Sequence, residues 1–117
     1  MSHHLLMGLT NADSELLPGT LELLVLKALV REPRHGYGIV EHLRLASGDA
    51  LAIGESALYP ALQRLLLNGW VKASWGASEN NRRARYYTLT PSGKRQLEKE
   101  RATFDRRVQL VQRVLET

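Results

Sequence analysis

Ser56, Tyr59, Gln63 and Arg64 fall close together, and Arg82, Arg83 and Arg85 follow a short way downstream. A glutamine amide can pair with the hydrogen-bonding edge of adenine, and a serine hydroxyl can donate or accept at any base. A tyrosine can pack its ring and offer its hydroxyl to a phosphate. Arg64 has the chemistry for a phosphate or a guanine. Arg82, Arg83 and Arg85 are of one sign and closely spaced, which suits the phosphates flanking a groove better than it suits a merely soluble surface. Asn80 and Asn81 beside them suit a tight turn and can also donate to phosphate.

These residues need a helix and a hairpin to hold them. Gly54 opens a helix in which Leu58, Leu62 and Leu65 share one face, with Leu66 flanking. The opposite face carries Ser56, Pro60, Gln63, Arg64 and Leu67. Pro60 requires the helix to start near Glu55 or Ser56. Asn68-Gly69 ends it. Trp70 to Trp75 reads as a strand, Gly76 to Asn81 as a turn, and Arg83 to Leu89 as the return strand. Upstream, Thr20 is the expected N-cap of a first helix with Leu21, Leu24, Val25, Ala28 and Leu29 on one face. A second helix, about Gly36 to Ser47, is expected to turn Tyr37, Val40 and Leu43 inward and to close at Gly48. Gly36 and Gly38 fit either a close approach to a ligand or close helix packing. Leu51 to Ile53 suggests a short strand. Thr90-Pro91 is an N-cap with proline at the first helical position of a last helix running to about Val114. The expected fold class is therefore mainly α with a small β-hairpin: a winged helix-turn-helix domain plus a C-terminal helix.

Two apolar stripes look too large for one small domain to cover. The first helix has Leu23, Leu26 and Val30 on a second face, and the last helix has Leu97, Phe104, Val108, Val111 and Leu115 in three- and four-residue steps. Both are expected at a subunit interface.

The 117 residues suffice for one domain with a modest core. The chain totals +4, but Arg82 to Arg113 holds ten Lys or Arg against three carboxylates, net +7, leaving −3 elsewhere. That asymmetry steers a polyanion to one side. The chain has no cysteine, hence no disulfide and no thiolate metal site. Apolar runs are too short for a membrane span, no secretion signal is evident, and a cytoplasmic location is expected. His35 and His42 are seven apart with no carboxylate completing a metal set. No phosphate-binding glycine loop or nucleophile motif is present, so no enzyme activity, cofactor or metal is expected.

Over roughly residues 18 to 115 the chain resembles the PadR family of transcriptional regulators. The resemblance rests on HGYGI (35–39), ALYPALQRLLLNGWV (57–71) and RYYTLTPSGKRQL (85–97). Residues 1–17 lack strong periodicity and are expected to form an N-terminal arm, loose or a short helix. Beyond them a winged helix-turn-helix domain (18–90) and a last helix (91–117) are expected. The resemblance implies that this last helix dimerises by packing on the first helix of the other subunit. It further implies a repressor that binds a palindromic site on double-stranded DNA as a homodimer. Some relatives hold planar aromatic effectors at the dimer interface through an aromatic side chain of the last helix; here that helix has Phe104 and no tryptophan. The competing expectation is a winged helix used only for protein interaction. Leu67 and Pro60 favour it, and the charge of the hairpin opposes it.

Overall fold

The computed structural model describes residues 19–117, so the N-terminal arm, 1–17, lies outside the described residues. Helix α1 spans Thr20–Ala28, strand β1 Arg34–His35, helix α2 Gly36–Ala46 and helix α3 Glu55–Leu67. Strands β2 (Val71–Ala77) and β3 (Arg83–Leu89) form the hairpin, and helix α4 runs Pro91–Leu115. This is the expected winged helix layout with a long last helix.

Leu58, Leu62 and Leu65 of α3 drive the packing. They meet Val25, Leu26 and Leu29 of α1, Ile39 and Leu43 of α2, Val71 and Tyr87 of the hairpin, and Leu97 of α4. Side chains of this size contribute about 1.5–3 kcal/mol each when fully buried. α3 begins at Gly54, whose carbonyl accepts from the Ala57 and Leu58 N–H groups. Pro60 therefore sits inside the helix, one turn in, where it cannot donate to the Ser56 carbonyl. Both residues are exposed, so that carbonyl faces the open side of the helix.

Several expectations need correction. Gly19, in the left-handed region at φ 85°, is the N-cap of α1, and Thr20 is its first residue. Leu51 to Ile53 forms no strand. The third strand is β1, which pairs antiparallel with β3 through Arg34 opposite Tyr87 and His35 opposite Tyr86. A two-residue strand is too short to show alternation. The sheet order is β1-β3-β2. β2 continues two residues past Trp75, so Gly76 lies in the strand opposite Ala84 and the turn is shorter than expected. Asn81 accommodates that turn at φ 60°. In α2 the buried residues are Gly36, Ile39 and Leu43, whereas Tyr37 is 69% exposed. Gly48, at φ 63°, follows the C-cap Ser47 and closes α2 as expected.

Leu26 and Leu97 were both expected at a subunit interface, but they belong to the chain's own core, 0% and 8% exposed. α1 packs against α2, α3 and α4 at once, so more of its circumference is covered from within than its length suggests.

The start of α4 is locked to the end of α3. The Thr90 hydroxyl accepts from the Gly93 N–H at 3.0 Å and donates to the Gly69 carbonyl at 2.7 Å. The Ser92 hydroxyl donates to the same carbonyl at 3.0 Å, and the Thr90 N–H to the Trp70 carbonyl at 3.1 Å. Gly93 lies so close to Trp70 that a Cβ there would come within 1.9 Å of the Trp70 carbonyl oxygen.

Candidate nucleic-acid interface

The outward face of α3 is the one the sequence suggests. Ser56, Tyr59, Pro60, Gln63, Arg64 and Leu67 are all exposed, and the leucine face is buried. At 100° per residue, Tyr59 and Arg64 point about 140° apart, with Ser56, Pro60, Gln63 and Leu67 between them. Tyr59 leans toward the hairpin. Arg64 leans away from it, and its Nε donates to Glu22 Oε2 of α1 at 2.6 Å.

Strand alternation decides what the hairpin offers. Arg83, Arg85, Tyr87 and Leu89 share one face of β3, and β2 places Ala77, Trp75, Ala73 and Val71 opposite them. At the base this face packs into the core through Val71 and Tyr87. At the tip the same face leaves the core and carries Trp75, Arg83 and Arg85 beside α3. Together with Arg82, Tyr59 and Tyr87 they line a cleft of about 570 Å³. The Arg83 guanidinium lies 4.9 Å from the centre of the Trp75 ring, and that of Arg85 lies 5.8 Å from Tyr87. Each such stack contributes about 0.5–1 kcal/mol at an exposed site.

The opposite face of the hairpin is tied to α2. His35 caps α2, its Nδ1 accepting from the Gly38 N–H at 3.0 Å. Nδ1 is thus the unprotonated nitrogen, and the Nε2 N–H faces Glu79 Oε1 at 3.7 Å in the hairpin turn. The His35 ring also packs on Tyr86, centroids 5.1 Å apart, and the Tyr86 hydroxyl donates to the Ala77 carbonyl. Gly36 serves close packing of helices: a Cβ there would meet Tyr59 Oη at 2.6 Å. Partial burial and the neighbouring Glu55 carboxylate raise the Tyr59 hydroxyl above the ordinary tyrosine value. At neutral pH it is a proton donor, as an anion ligand requires.

Of the seven residues expected to meet DNA, the structure brings Tyr59, Arg82, Arg83 and Arg85 into one cleft, with Ser56 and Gln63 on the adjoining face of α3. Arg64 stands apart. Trp75 was missed as a site residue, although its register opposite Arg85 follows from the hairpin alternation. Among the described residues no group of three His, Cys, Asp or Glu is placed to hold a metal ion. No described helix is long and apolar enough to cross a membrane.

A model of the PadR-like family of transcriptional regulators matches residues 25–99. The chain belongs to this family. A solved PadR family transcriptional regulator from Eggerthella lenta is 32% identical, superposes with a TM-score of 0.76, and the match covers 92% of each chain. An uncharacterized protein of Lysinibacillus sphaericus is 27% identical over 81 residues, 69% of this chain and 74% of that one. A 37.1 kDa transposon protein of Streptomyces fradiae is 39% identical over 79 residues; the chain spans only 21% of its length. The PadR-like motifs now have physical meanings. HGYGI is a cap, a close helix contact and a wing support: His35, Gly36 and the His35–Tyr86 packing. The Thr90-Pro91-Ser92-Gly93 run is a double clamp on the Gly69 and Trp70 carbonyls just past the end of α3. This chain is therefore a DNA-binding transcriptional regulator of PadR-like type.

Proposed function

We propose that the chain is a repressor that binds a palindromic operator as a homodimer, with α3 in the major groove and the hairpin on the flanking backbone. The observation that carries the DNA reading is the single cleft joining Tyr59 of α3 to Arg82, Arg83 and Arg85 of the wing. Ser56 and Gln63 read base edges. Pro60 and Leu67, the latter 77% exposed, supply apolar contact of the kind a thymine methyl accepts. Arg64 acts through Glu22 to hold α3 on α1.

The dimer reading is supported by the second half of α4. Of its length only Gly93 and Leu97 are buried, while Val108, Leu110, Val111, Val114 and Leu115 are exposed. A stripe of this size on one chain marks an interaction surface. With Leu26 and Leu97 assigned to the core, the interface comprises Leu23, Val30, Phe104, Val108 and Val111, extended by Leu115. A cleft of about 300 Å³ between α1, α3 and α4 includes Trp70 and Phe104, and it is where we place a planar aromatic effector. The arm (1–17), the DNA-binding domain (18–90) and the dimerisation helix (91–117) remain our division, with the first turns of α4 shared between the last two.

Changing Arg82 and Arg83 to Ala tests the wing. Affinity for every duplex should fall, and the slope of log affinity against log salt should flatten by roughly 0.9 for each phosphate no longer neutralised. An unchanged slope in a folded variant removes the wing from the interface. Gln63→Ala and Ser56→Ala test sequence reading. Each should cost about 1–3 kcal/mol on the operator with little change on random duplex. Equal losses on both would show that these side chains position the protein without reading bases.

A further inference from the structure

The wing holds more aromatic surface than phosphate binding requires. Trp75 is 62% exposed at the tip of β2, on the strand face that looks into the cleft. It stands opposite Arg85 and diagonal to Arg83, and the Arg83 guanidinium lies over its ring at 4.9 Å. An arginine held over an indole has given up part of its rotamer freedom before binding, and the ring shields the side of its guanidinium turned toward it. Its N–H edges stay free. The result is a cation braced on an apolar ring, flanked by Arg82 and Arg85 for the phosphates on either side.

A phosphate does not need that shape, since a hydrated lysine or arginine serves. A narrow minor groove does. Its walls strip water from whatever enters, and its negative potential is deepest over A·T pairs, where no guanine amino group blocks the floor. We propose that Trp75 is a positioning residue that holds Arg83 for insertion into an A·T-rich minor groove beside each recognition half-site, which makes the pair a determinant of sequence preference outside the bases read by α3. This rests on the DNA interface proposed above.

The test uses the full-length protein and a duplex selected by the wild type from a random library. Trp75→Ala removes no charge, yet it should weaken binding about as much as Arg83→Ala and flatten the salt slope by a similar amount. The double variant should be little worse than either single one, and Trp75→Phe should restore most of the affinity. Replacing flanking A·T pairs by inosine·C, which leaves the minor-groove floor free of the amino group, should be tolerated. Replacing them by G·C should cost the wild type about tenfold and Trp75→Ala almost nothing. Additive losses, an unchanged slope for Trp75→Ala, or equal responses to inosine·C and G·C would overturn the proposal. Failure of the wild type to select any duplex would instead overturn the interface on which it rests.

Discussion

Gly93→Ala should destabilise the protein by about 3 kcal/mol, against the sign that helix propensity predicts. Alanine in a helix interior is ordinarily better than glycine by about 0.8–1 kcal/mol. Here the added Cβ would lie 1.9 Å from the Trp70 carbonyl oxygen. That atom is backbone and itself accepts from the Thr90 N–H, so no side-chain rotation relieves the clash. Relief requires moving α4 off the end of α3, which strains the bonds of Thr90 and Ser92 to the Gly69 carbonyl. Overpacking of this kind outweighs the propensity gain. Thermal unfolding should show a midpoint lower by on the order of 10 °C for a domain of this size. A variant as stable as the wild type would mean that the junction is looser than described.

Val111→Asp should convert a dimer into a folded monomer and abolish operator binding. Val111 is 57% exposed in the single chain, so an aspartate there costs the isolated subunit almost nothing. If a second copy covers the stripe, the same carboxylate becomes a buried, unpaired charge, at a cost of several kcal/mol unless the interface opens. Phe104→Asp should act in the same direction but also disturb packing within the subunit, because Phe104 is half-buried there. Sedimentation at micromolar concentration, with circular dichroism to confirm folding, checks this. A wild-type monomer at that concentration would sink the homodimer and the palindromic operator together.

Much of this was legible in the residues. The leucine spacing of α3 determined its buried face, and the same wheel named its exposed residues. Thr90-Pro91 announced α4, and the Asn-rich turn announced the hairpin. What escaped has identifiable causes. β1 is too short for any periodicity and exists only because β3 offers it an edge. Leu26 and Leu97 lie on stripes that look like interface until the covering elements are known, and no wheel shows that α1 is enclosed on three sides. Arg64 belongs to the exposed face of α3 by spacing alone; its partner Glu22 is distant in sequence, and only the packing of α1 on α3 brings the two together. Tyr37 fails for the opposite reason: its apolar ring suggested burial, but the helix turns it to solvent, where the neighbouring Glu41 carboxylate raises its hydroxyl above the ordinary tyrosine value.

The clamp between Gly69, Trp70 and the first turn of α4 has a mechanical consequence. It leaves no free hinge between α3, the helix proposed to meet DNA, and α4, which extends away from it. α4 has 25 residues, a rod of about 37 Å. A tilt of only about 5° at the clamped end displaces the far end by about 3 Å, and the same gearing runs in reverse. In the proposed dimer, wedging the far ends of the two rods apart by the width of one atom or two would therefore swivel each α3 without deforming its core. Small forces at the tail thus become register errors on the double helix.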